Sequence, residues 1–378
     1  MRNDLKFIPL HKVYISEREE QAAIKSLRSG WLAGDGRFSK KAEELLRNYL
    51  KAKFVLLTPS CTAAIELALM VLNIKKGDEV ILPSFSFPSL AAAILRQKAK
   101  PIFVDIDKDT YNINPEEILK ALSKKTKAVI ALHYAGGACR MNKIIKIAKK
   151  YHLKIIEDAA HALGSEYKRK KLGTIGDIGC FSFHQTKNLT CGEGGAFVTN
   201  DLKIAERAEI LRNYGTNKKS FLNKKVDKYT WIDQGGSFFL AESLSAVLAE
   251  QLKKIDKINK KREIIADYYF KKLQPLKNKI VLPKIIPQAK TNWNIFAIRA
   301  PKEKRNETII KMKGRGIQTA FHFIPLHSSP MGKKLTRGEG SFPVTDEVSA
   351  ALIRLPIYPL LTKKEIDYIV SSLADSLK

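Results

Sequence analysis

From residue 54 onward, short apolar runs alternate with longer segments in which apolar residues recur at helical spacing. Because a helix between two consecutive strands allows them to pair in parallel, this alternation is typical of a mainly parallel sheet with helices on both faces. We therefore predict an α/β fold with a seven-stranded sheet. The predicted strands are residues 54–57, 80–82, 101–104, 128–132, 153–156, 180–183 and 196–198.

Two helices are predicted outside this alternating region. Ser16 and Glu19 have the spacing of a capping box, which predicts a helix that runs to about Arg28. A helical pattern over residues 241–273 predicts a long helix between two domains, and the prolines that follow it would end that helix.

The remainder of the chain predicts a smaller α+β unit, with strands at residues 293–299 and 319–323. A chain of 378 residues is long enough for two domains. We predict a large domain over residues 1–245, followed by the bridging helix and the small C-terminal domain over residues 246–378. The N-terminal segment could pack on the small domain.

The chain is strongly basic, since lysine and arginine total 67 against 38 aspartates and glutamates, a net charge of +29. A basic chain could bind nucleic acid through its phosphates. Paired lysines recur from residues 40–41 to residues 363–364 and form no single basic arm. We therefore favour a general lysine-rich surface that attracts anionic nucleotides and predict no nucleic-acid partner, with a basic DNA-binding or regulatory protein as an alternative.

The sequence carries no signature of a membrane protein or of a metal protein. No stretch approaches the ~20 apolar residues of a membrane span, and residues 1–6 contain no apolar signal core. Two histidines near the end of a predicted strand, His322 and His327, are too few ligands for zinc. We predict a cytoplasmic protein without a metal. The cysteines lack the spacing of a zinc site or a disulfide scaffold and are Cys61, Cys139, Cys180 and Cys191.

Small or aromatic residues follow the first two predicted strands. In open parallel sheets, ligands bind beyond the carboxyl ends of the strands. Ser60, Cys61 and Thr62 lead into a helix whose first N–H groups could bind a phosphate, although an ordinary helix cap would use the same residue types. Phe85 and Phe87 could cover a flat ligand ring or could pack in the core.

Two carboxylates and a histidine follow the fifth predicted strand. Glu157 and Asp158 come directly after a buried run, and His161 lies three residues later. A buried carboxylate is costly unless a cation or a hydrogen-bond donor meets it. Because successive strand side chains point to opposite faces, Glu157 and Asp158 cannot share one partner.

A loop that contains Lys187 follows the sixth predicted strand. Most lysines in so basic a chain are solvated surface charges, but this one lies between a buried apolar run and a glycine cluster. The run from Ser182 to Asn188, followed by Gly192-Glu193-Gly194-Gly195, resembles the DegT/DnrJ/EryC1/StrS aminotransferases, which are fold-type I enzymes that use pyridoxal 5'-phosphate (PLP). The run His133-Tyr134-Ala135-Gly136 matches the family as well.

This resemblance implies a cofactor site. Lys187 would bind the PLP aldehyde covalently, and Asp158 would keep the pyridine nitrogen protonated, so both are predicted catalytic residues. Two positions depart from the family, because Cys61 replaces a commoner glycine and Phe239 replaces an asparagine that reaches the partner subunit's cofactor phosphate. The other implied cofactor contacts are Cys61, Thr62 and Ser182 on the phosphate, Phe87 on the ring face and His161 beside the ring.

The resemblance also implies the substrates. L-Glutamate would donate an amino group to a nucleotide-linked 4-keto-6-deoxyhexose, with His322 and His327 as substrate contacts, in a homodimer with shared active sites. Tyr214 and Tyr229 could hold the nucleotide, although their segment could equally be a surface loop. A sugar-nucleotide dehydratase would share the fold and the cofactor, but those enzymes carry histidine at the position of Lys187.

Overall fold

The computed structural model describes residues 7–336 and 340–378. The seven predicted strands are present with nearly the same bounds, and five short strands accompany them. They are β1 (Phe54–Thr58), β2 (Glu79–Pro83), β3 (Lys100–Val104), β4 (Thr126–Leu132), β5 (Lys154–Asp158), β6 (Glu166–Tyr167), β7 (Lys170–Lys171), β8 (Ile178–Ser182), β9 (Gly195–Thr199), β10 (Ala289–Lys290), β11 (Phe296–Arg299) and β12 (Leu352–Leu355).

Helices connect most of these strands, and further helices precede β1 and follow β12. The α-helices are α1 (Glu17–Leu27), α2 (Arg37–Leu50), α3 (Cys61–Val71), α4 (Ser89–Arg96), α5 (Pro115–Lys120), α6 (Met141–Tyr151), α7 (Leu202–Arg212), α8 (Lys218–Leu222), α9 (Glu242–Leu252), α10 (Ile255–Leu273), α11 (Lys302–Gly314), α12 (Pro330–Thr336), α13 (Pro343–Ala351) and α14 (Lys363–Ser376). Short 3-10 helices cover Tyr134–Gly136 and Gln274–Leu276.

The large sheet has the strand order β1-β9-β8-β5-β4-β2-β3. Only β9 runs against its neighbours, and the other adjacent pairs in this sheet are parallel. The mainly parallel α/β sheet predicted from the sequence is therefore confirmed. Because β1 and β8 both pair antiparallel with β9, their carboxyl ends lie at the same edge as those of β2, β4 and β5.

Side-chain alternation separates two apolar layers on the faces of the sheet. On β8, Cys180 packs in the layer with α3, α4 and α7, whereas Phe181 packs in the layer with α2 and α9. On β5, Ile156 packs in the first layer and Ile155 on the opposite face. Asp158 and Ser182, each two residues further along, therefore belong to the face that α3 covers.

The C-terminal part forms its own apolar core around the antiparallel pair β11 and β12. The N-terminal segment joins this core, since Ile8 bridges to Ile317 and the Leu10 N–H donates to Gln318 Oε1 at 2.9 Å. These contacts link the N-terminal segment to residues 317 and 318. The domain boundary between residues 245 and 246 stays a prediction.

Two sequence expectations were wrong. The single long helix over residues 241–273 is two helices, α9 and α10, because a turn at Lys253 and Lys254 separates them, with the Lys254 N–H donating to Gln251 O at 3.0 Å. The expected strand at 319–323 is a single bridge between Ala320 and Arg354. Its place beside β11 is taken by β12, whose apolar side chains are buried in the small core.

No helix in residues 7–336 or 340–378 has the length and apolar character needed to cross a membrane. Residues 1–6, for which the sequence predicts no signal core, lie outside the described residues.

Candidate active site

The carboxyl ends of β1 and β8 are brought together by one glycine of β9. Gly195 pairs with Thr58 on one side and with Ser182 on the other. A Cβ atom at Gly195 would lie 2.3 Å from the carbonyl carbon of Ser60 and 2.5 Å from the Cys61 nitrogen. Only a residue without a side chain lets the start of α3 approach the sheet this closely.

The start of α3 provides backbone donors at this edge. Ser60 caps the helix, and its Oγ accepts the Ala63 N–H at 3.1 Å. The N–H groups of Cys61 and Thr62 belong to the first helical turn, where no intrahelical acceptor exists. These donors, with the hydroxyl of Ser182 two strands away, are of the type that binds the phosphate of PLP, which the positive end of the helix dipole would also stabilise.

Asp158 lies at the end of β5 and is 6% exposed. Its Oδ1 accepts the Ala160 N–H at 3.0 Å and lies 3.9 Å from Cys61 Sγ. In the described part of the chain, no hydrogen bond reaches the other carboxylate oxygen. Burial raises the pKa of Asp158, against the opposing effect of the Ala160 N–H and the Lys187 amine. A cationic N–H donor such as the pyridine nitrogen of PLP would satisfy this carboxylate.

The Lys187 amine interacts electrostatically with the Asp158 carboxylate and with Cys61. Burial lowers the pKa of Lys187, and the attraction to Asp158 only partly opposes this shift. Lys187 therefore loses its proton more readily than a solvated lysine does. The neutral amine that results is the nucleophilic and proton-accepting form. The roles of Asp158 and Lys187 at the cofactor stay predictions.

A network of asparagines fixes the residue that follows Lys187. Asn188 Nδ2 donates to Asn259 Oδ1 at 3.0 Å and to the Asn292 carbonyl at 2.9 Å, while Asn188 Oδ1 accepts from Asn294 Nδ2 at 3.0 Å. Asn188, Asn292 and Asn294 are buried. Because each bond joins the lysine loop to α10 or to the segment before β11, the position of Lys187 depends on both parts of the molecule.

Four rings form one wall of the site. His322 Nδ1 lies 2.8 Å from the Tyr134 hydroxyl, and the His322 ring stacks on Phe323 with centroids 3.8 Å apart. His161 is nearly parallel to Phe323 at 6.3 Å. The Ala135 N–H donates to His161 Nδ1 at 3.3 Å, so this nitrogen is the unprotonated one. Burial, together with neighbouring positive charge, lowers the pKa of both histidines well below the usual range, and they are neutral at pH 7.

A pocket of about 290 Å³ opens beside these rings. The sequence predicted three of its polar residues. Of those that it missed, Thr186 lies in the lysine loop, and the others come from the small unit and the N-terminal segment. Arg354 could have been suspected only if β12 had been recognised as a strand. The polar side chains that line the pocket are His11, His161, Thr186, Lys187, Asn294, Gln318, His322 and Arg354.

Phe87 and His327 lie outside the lining of this pocket. Phe87 is 61% exposed, and its ring centroid lies 6.4 Å from that of Phe323. His327 Nδ1 lies 2.7 Å from Ser84 Oγ, and its ring stacks on Phe342 at 4.1 Å. The contacts of His327 therefore join the loop after β2 to the segment before α13. The predicted roles of Phe87 and His327 in binding stay predictions.

Tyr214 and Tyr229 lie in the segment between α7 and α9, and both are more than half exposed. The Tyr214 hydroxyl accepts a hydrogen bond from Ser237 Oγ at 3.2 Å, and the Tyr229 ring packs against Phe221 at 5.8 Å. No contact among the described residues links either tyrosine to the pocket that contains Lys187. Their predicted role in nucleotide binding stays a prediction.

Glu157 points away from the pocket, as strand alternation predicts, and supports the turn after β7. Its carboxylate accepts the N–H groups of Gly173, Ile175 and Gly176 at 2.9, 2.6 and 2.6 Å, and its Oε2 lies 2.8 Å from His133 Nε2. Burial opposes ionisation, but these hydrogen bonds outweigh it and lower the pKa of Glu157. Glu157 is therefore a buried structural anion.

No group of histidine, cysteine, aspartate and glutamate side chains within residues 7–336 and 340–378 is arranged to hold a metal ion. The four cysteines are free and buried.

The DegT/DnrJ/EryC1/StrS aminotransferase family matches residues 13–374. The chain is 42% identical over 375 residues to the uncharacterized protein MJ1066 of Methanocaldococcus jannaschii, across 97% of this chain and 96% of that protein. It is 33% identical over 382 residues to the spore coat polysaccharide biosynthesis protein SpsC of Bacillus subtilis, across 98% and 97% of the two chains.

Among solved structures, the chain is similar to PseC of Helicobacter pylori, an aminotransferase involved in the biosynthesis of pseudoaminic acid. The TM-score is 0.91 and the sequence identity 27%, and the match covers 98% of this chain and 99% of PseC. The similarity therefore extends over the large sheet and the small unit together.

We predict that Glu157→Gln destabilises the protein by on the order of 3 kcal/mol, because the amide cannot accept every N–H that the carboxylate now accepts. Chemical denaturation followed by circular dichroism measures this change. Glu116→Gln, which removes an exposed carboxylate in an ion pair with Lys143, is the matched control and should change stability much less. Equal effects of the two substitutions would contradict the structural role of Glu157.

Proposed function

Because this chain belongs to the DegT/DnrJ/EryC1/StrS aminotransferase family, we propose that it transfers the amino group of L-glutamate to a nucleotide-linked 4-keto-6-deoxyhexose. Sugar aminotransfer with PLP as cofactor is its activity. The observation that carries the proposal is the Lys187 amine in the lining of one pocket, with the buried Asp158 carboxylate near enough to oppose the lowering of its pKa.

The proposed sugar is dTDP-4-dehydro-6-deoxy-D-galactose. Four runs of the sequence resemble dTDP-4-amino-4,6-dideoxygalactose transaminase more than other members of the family. Two of them belong to parts of the site described above, since one begins α3 and another carries His322. The four runs are residues 58–62, 173–176, 226–231 and 321–327.

In the proposed reaction, bound PLP supplies an aldehyde that exchanges amino groups and a protonated ring that withdraws electron density. Lys187 is the base that takes the proton from Cα of the amino donor, and it later returns a proton to the sugar carbon that receives the amine. Burial favours this role because it lowers the pKa of the amine. The hydrogen bonds of Asn188 would keep the loop that carries this amine beside the pocket.

Asp158 would hold the proton on the ring nitrogen of PLP. Because its carboxylate is buried and has one oxygen without a partner in the described part of the chain, ionised Asp158 gains most when a cationic donor is beside it. His161 and His322 are neutral and can therefore donate a hydrogen bond without adding positive charge near the amine. The aromatic wall also limits the access of water to the amine.

We also propose a cytoplasmic homodimer with shared active sites. Two adjacent pairs of large apolar side chains are more than half exposed, Trp31 with Leu32 and Trp231 with Ile232, and such surfaces often mark protein interfaces. Phe239, which replaces the family's asparagine, lies under the Arg212 guanidinium at 4.8 Å. A partner subunit's cofactor phosphate would therefore need a different donor from the usual one.

We predict that Lys187 is the residue that binds PLP covalently. Borohydride reduction of the PLP-loaded protein, followed by peptide mass spectrometry, should place the reduced adduct on the peptide that contains Lys187. Lys187→Ala should yield no adduct and no transamination, whereas Lys143→Ala, a substitution of an exposed lysine, should yield the wild-type adduct. An adduct on another lysine in the Lys187→Ala protein would sink the assignment.

We predict that the protein converts dTDP-4-dehydro-6-deoxy-D-galactose and L-glutamate into the 4-amino sugar nucleotide and 2-oxoglutarate. Product analysis by mass spectrometry, with and without glutamate, checks this. Formation of a deoxygenated sugar without consumption of glutamate would favour the dehydratase instead. Turnover of a different keto sugar, with no product from this one, would correct the proposed substrate while leaving aminotransfer in place.

We predict a dimer in solution by sedimentation equilibrium, with both chains contributing to each site. If Tyr229 contributes to the partner's site, the Lys187→Ala and Tyr229→Ala proteins should each lose activity and regain part of it when mixed, because one site of each hybrid dimer is intact. A fully active monomer, or no recovery on mixing of dimeric variants that exchange subunits, would contradict shared sites.

A further inference from the structure

The pocket beside Lys187 carries more positive charge than its described residues neutralise. Its lining includes the Lys187 amine and the Arg354 guanidinium, but no aspartate or glutamate among the residues that the structure describes. Asp158, the carboxylate that interacts with Lys187, is occupied by the cofactor ring in the proposed reaction. A pocket of this composition favours an anionic ligand.

Arg354 is held in place but has no anionic partner. It lies on β12, where its backbone pairs with Ala297, and its Nε donates to the Phe321 carbonyl at 3.1 Å. No ion pair and no hydrogen bond from its two terminal nitrogens is found in residues 7–336 and 340–378. Burial lowers the pKa of Arg354, because charge that is removed from water is not compensated nearby.

Two arginines in the core have partners for their terminal nitrogens within the protein. Arg212 Nη1 has an ion pair with Glu43 at 2.8 Å, although its Nε has no hydrogen-bond partner among the described residues. Arg262 donates to the carbonyls of Trp293 and Asn294 at 2.9 and 2.8 Å. Arg354 differs from both because it lines the pocket and its terminal nitrogens have no partner among the described residues. A guanidinium fork matches a carboxylate with two parallel hydrogen bonds, which is a stronger and more specific arrangement than a lysine provides.

The dimensions of the pocket indicate which of the two substrates supplies the anion. Its volume of about 290 Å³ lies at the lower end of the range for small-molecule sites. An amino acid fits in such a space, whereas the nucleotide of a sugar nucleotide would extend beyond it. Gln318 and His11 lie at the same pocket and add polar groups from the small unit and the N-terminal segment.

We propose that Arg354 binds a carboxylate of the amino donor and thereby selects the donor amino acid. This inference rests on the proposed function, since it assigns a substrate contact to that same site. Arg354 acts when the amino donor occupies the pocket. The ketosugar offers hydroxyl groups there, and Asn294 and His322 bind it.

The test compares Arg354→Gln and Arg354→Lys with Arg305→Gln. Arg305 also donates its Nε to a carbonyl, that of Ala350 at 3.0 Å, but it does not line the pocket. Calorimetry with glutarate, a dicarboxylate that cannot react, measures binding to the PLP-loaded enzyme. We expect Arg354→Gln to weaken binding roughly 10-fold or more, because a charge-assisted pair is lost, and Arg305→Gln to leave it unchanged. Arg354→Lys should retain part of the affinity. Thermal denaturation checks that each variant is folded.

Single-turnover reactions of the PLP-loaded enzyme with L-glutamate and L-alanine locate the carboxylate. A loss for both donors in Arg354→Gln assigns the α-carboxylate, and a loss for glutamate alone assigns the side-chain carboxylate. Unchanged glutarate binding and unchanged reaction with glutamate would overturn the inference while aminotransfer stands. A rise in the KM of the sugar nucleotide alone would also overturn it. A wild-type enzyme that binds glutarate through Arg354 but reacts with no amino acid would instead overturn the proposed function.

Discussion

The structure depends on burying one carboxylate where it can meet a cation. Asp158 ends a strand in the middle of the sheet, with Cys61 at the start of α3 on one side and the Lys187 amine within electrostatic reach. A carboxylate there is costly in an empty protein, and its raised pKa expresses that cost. In the proposed reaction, the protonated ring of the cofactor would offset this cost. The burial that makes an unpaired carboxylate unfavourable would then favour a cationic ligand at this position.

A second constraint comes from the junction between the large sheet and the small unit. Asn188, next to Lys187, bonds to α10 and to the segment that leads into β11, while Arg262 donates to the carbonyls of that same segment. His322 reaches across to the Tyr134 hydroxyl at 2.8 Å. These buried polar bonds satisfy one another, and loss of any member would leave a partner unpaired. The lysine loop therefore has one defined position instead of the several that a glycine-rich loop could otherwise adopt.

The sequence predicted the half of the site that belongs to the large sheet. Asp158, His161, Ser182 and Lys187 each follow or end a strand whose apolar run is recognisable, so topology alone brings them to one edge. It did not predict Arg354 as a pocket residue, because the four residues of β12 have no distinctive period and look like a helix end before a proline. It also did not predict that His327 contacts Ser84 and Phe342, since a histidine at a strand end looks the same whether it faces a ligand or a neighbouring loop.

By itself, the sequence determined the alternation of strands and helices and the edge of the sheet at which polar residues gather, and it predicted the amine and the carboxylate proposed to serve the cofactor. These features are local, because they depend on side-chain period, on glycine and proline, and on the residue that follows each strand. Only the tertiary structure decided which residues of the small unit line the pocket and how neutral histidines lie beside a lysine. It also decided that Arg354 lines the same pocket without an anionic partner among the described residues. Those features depend on burial and on contacts between residues far apart in the chain, and both are properties of the packed molecule that no local pattern encodes.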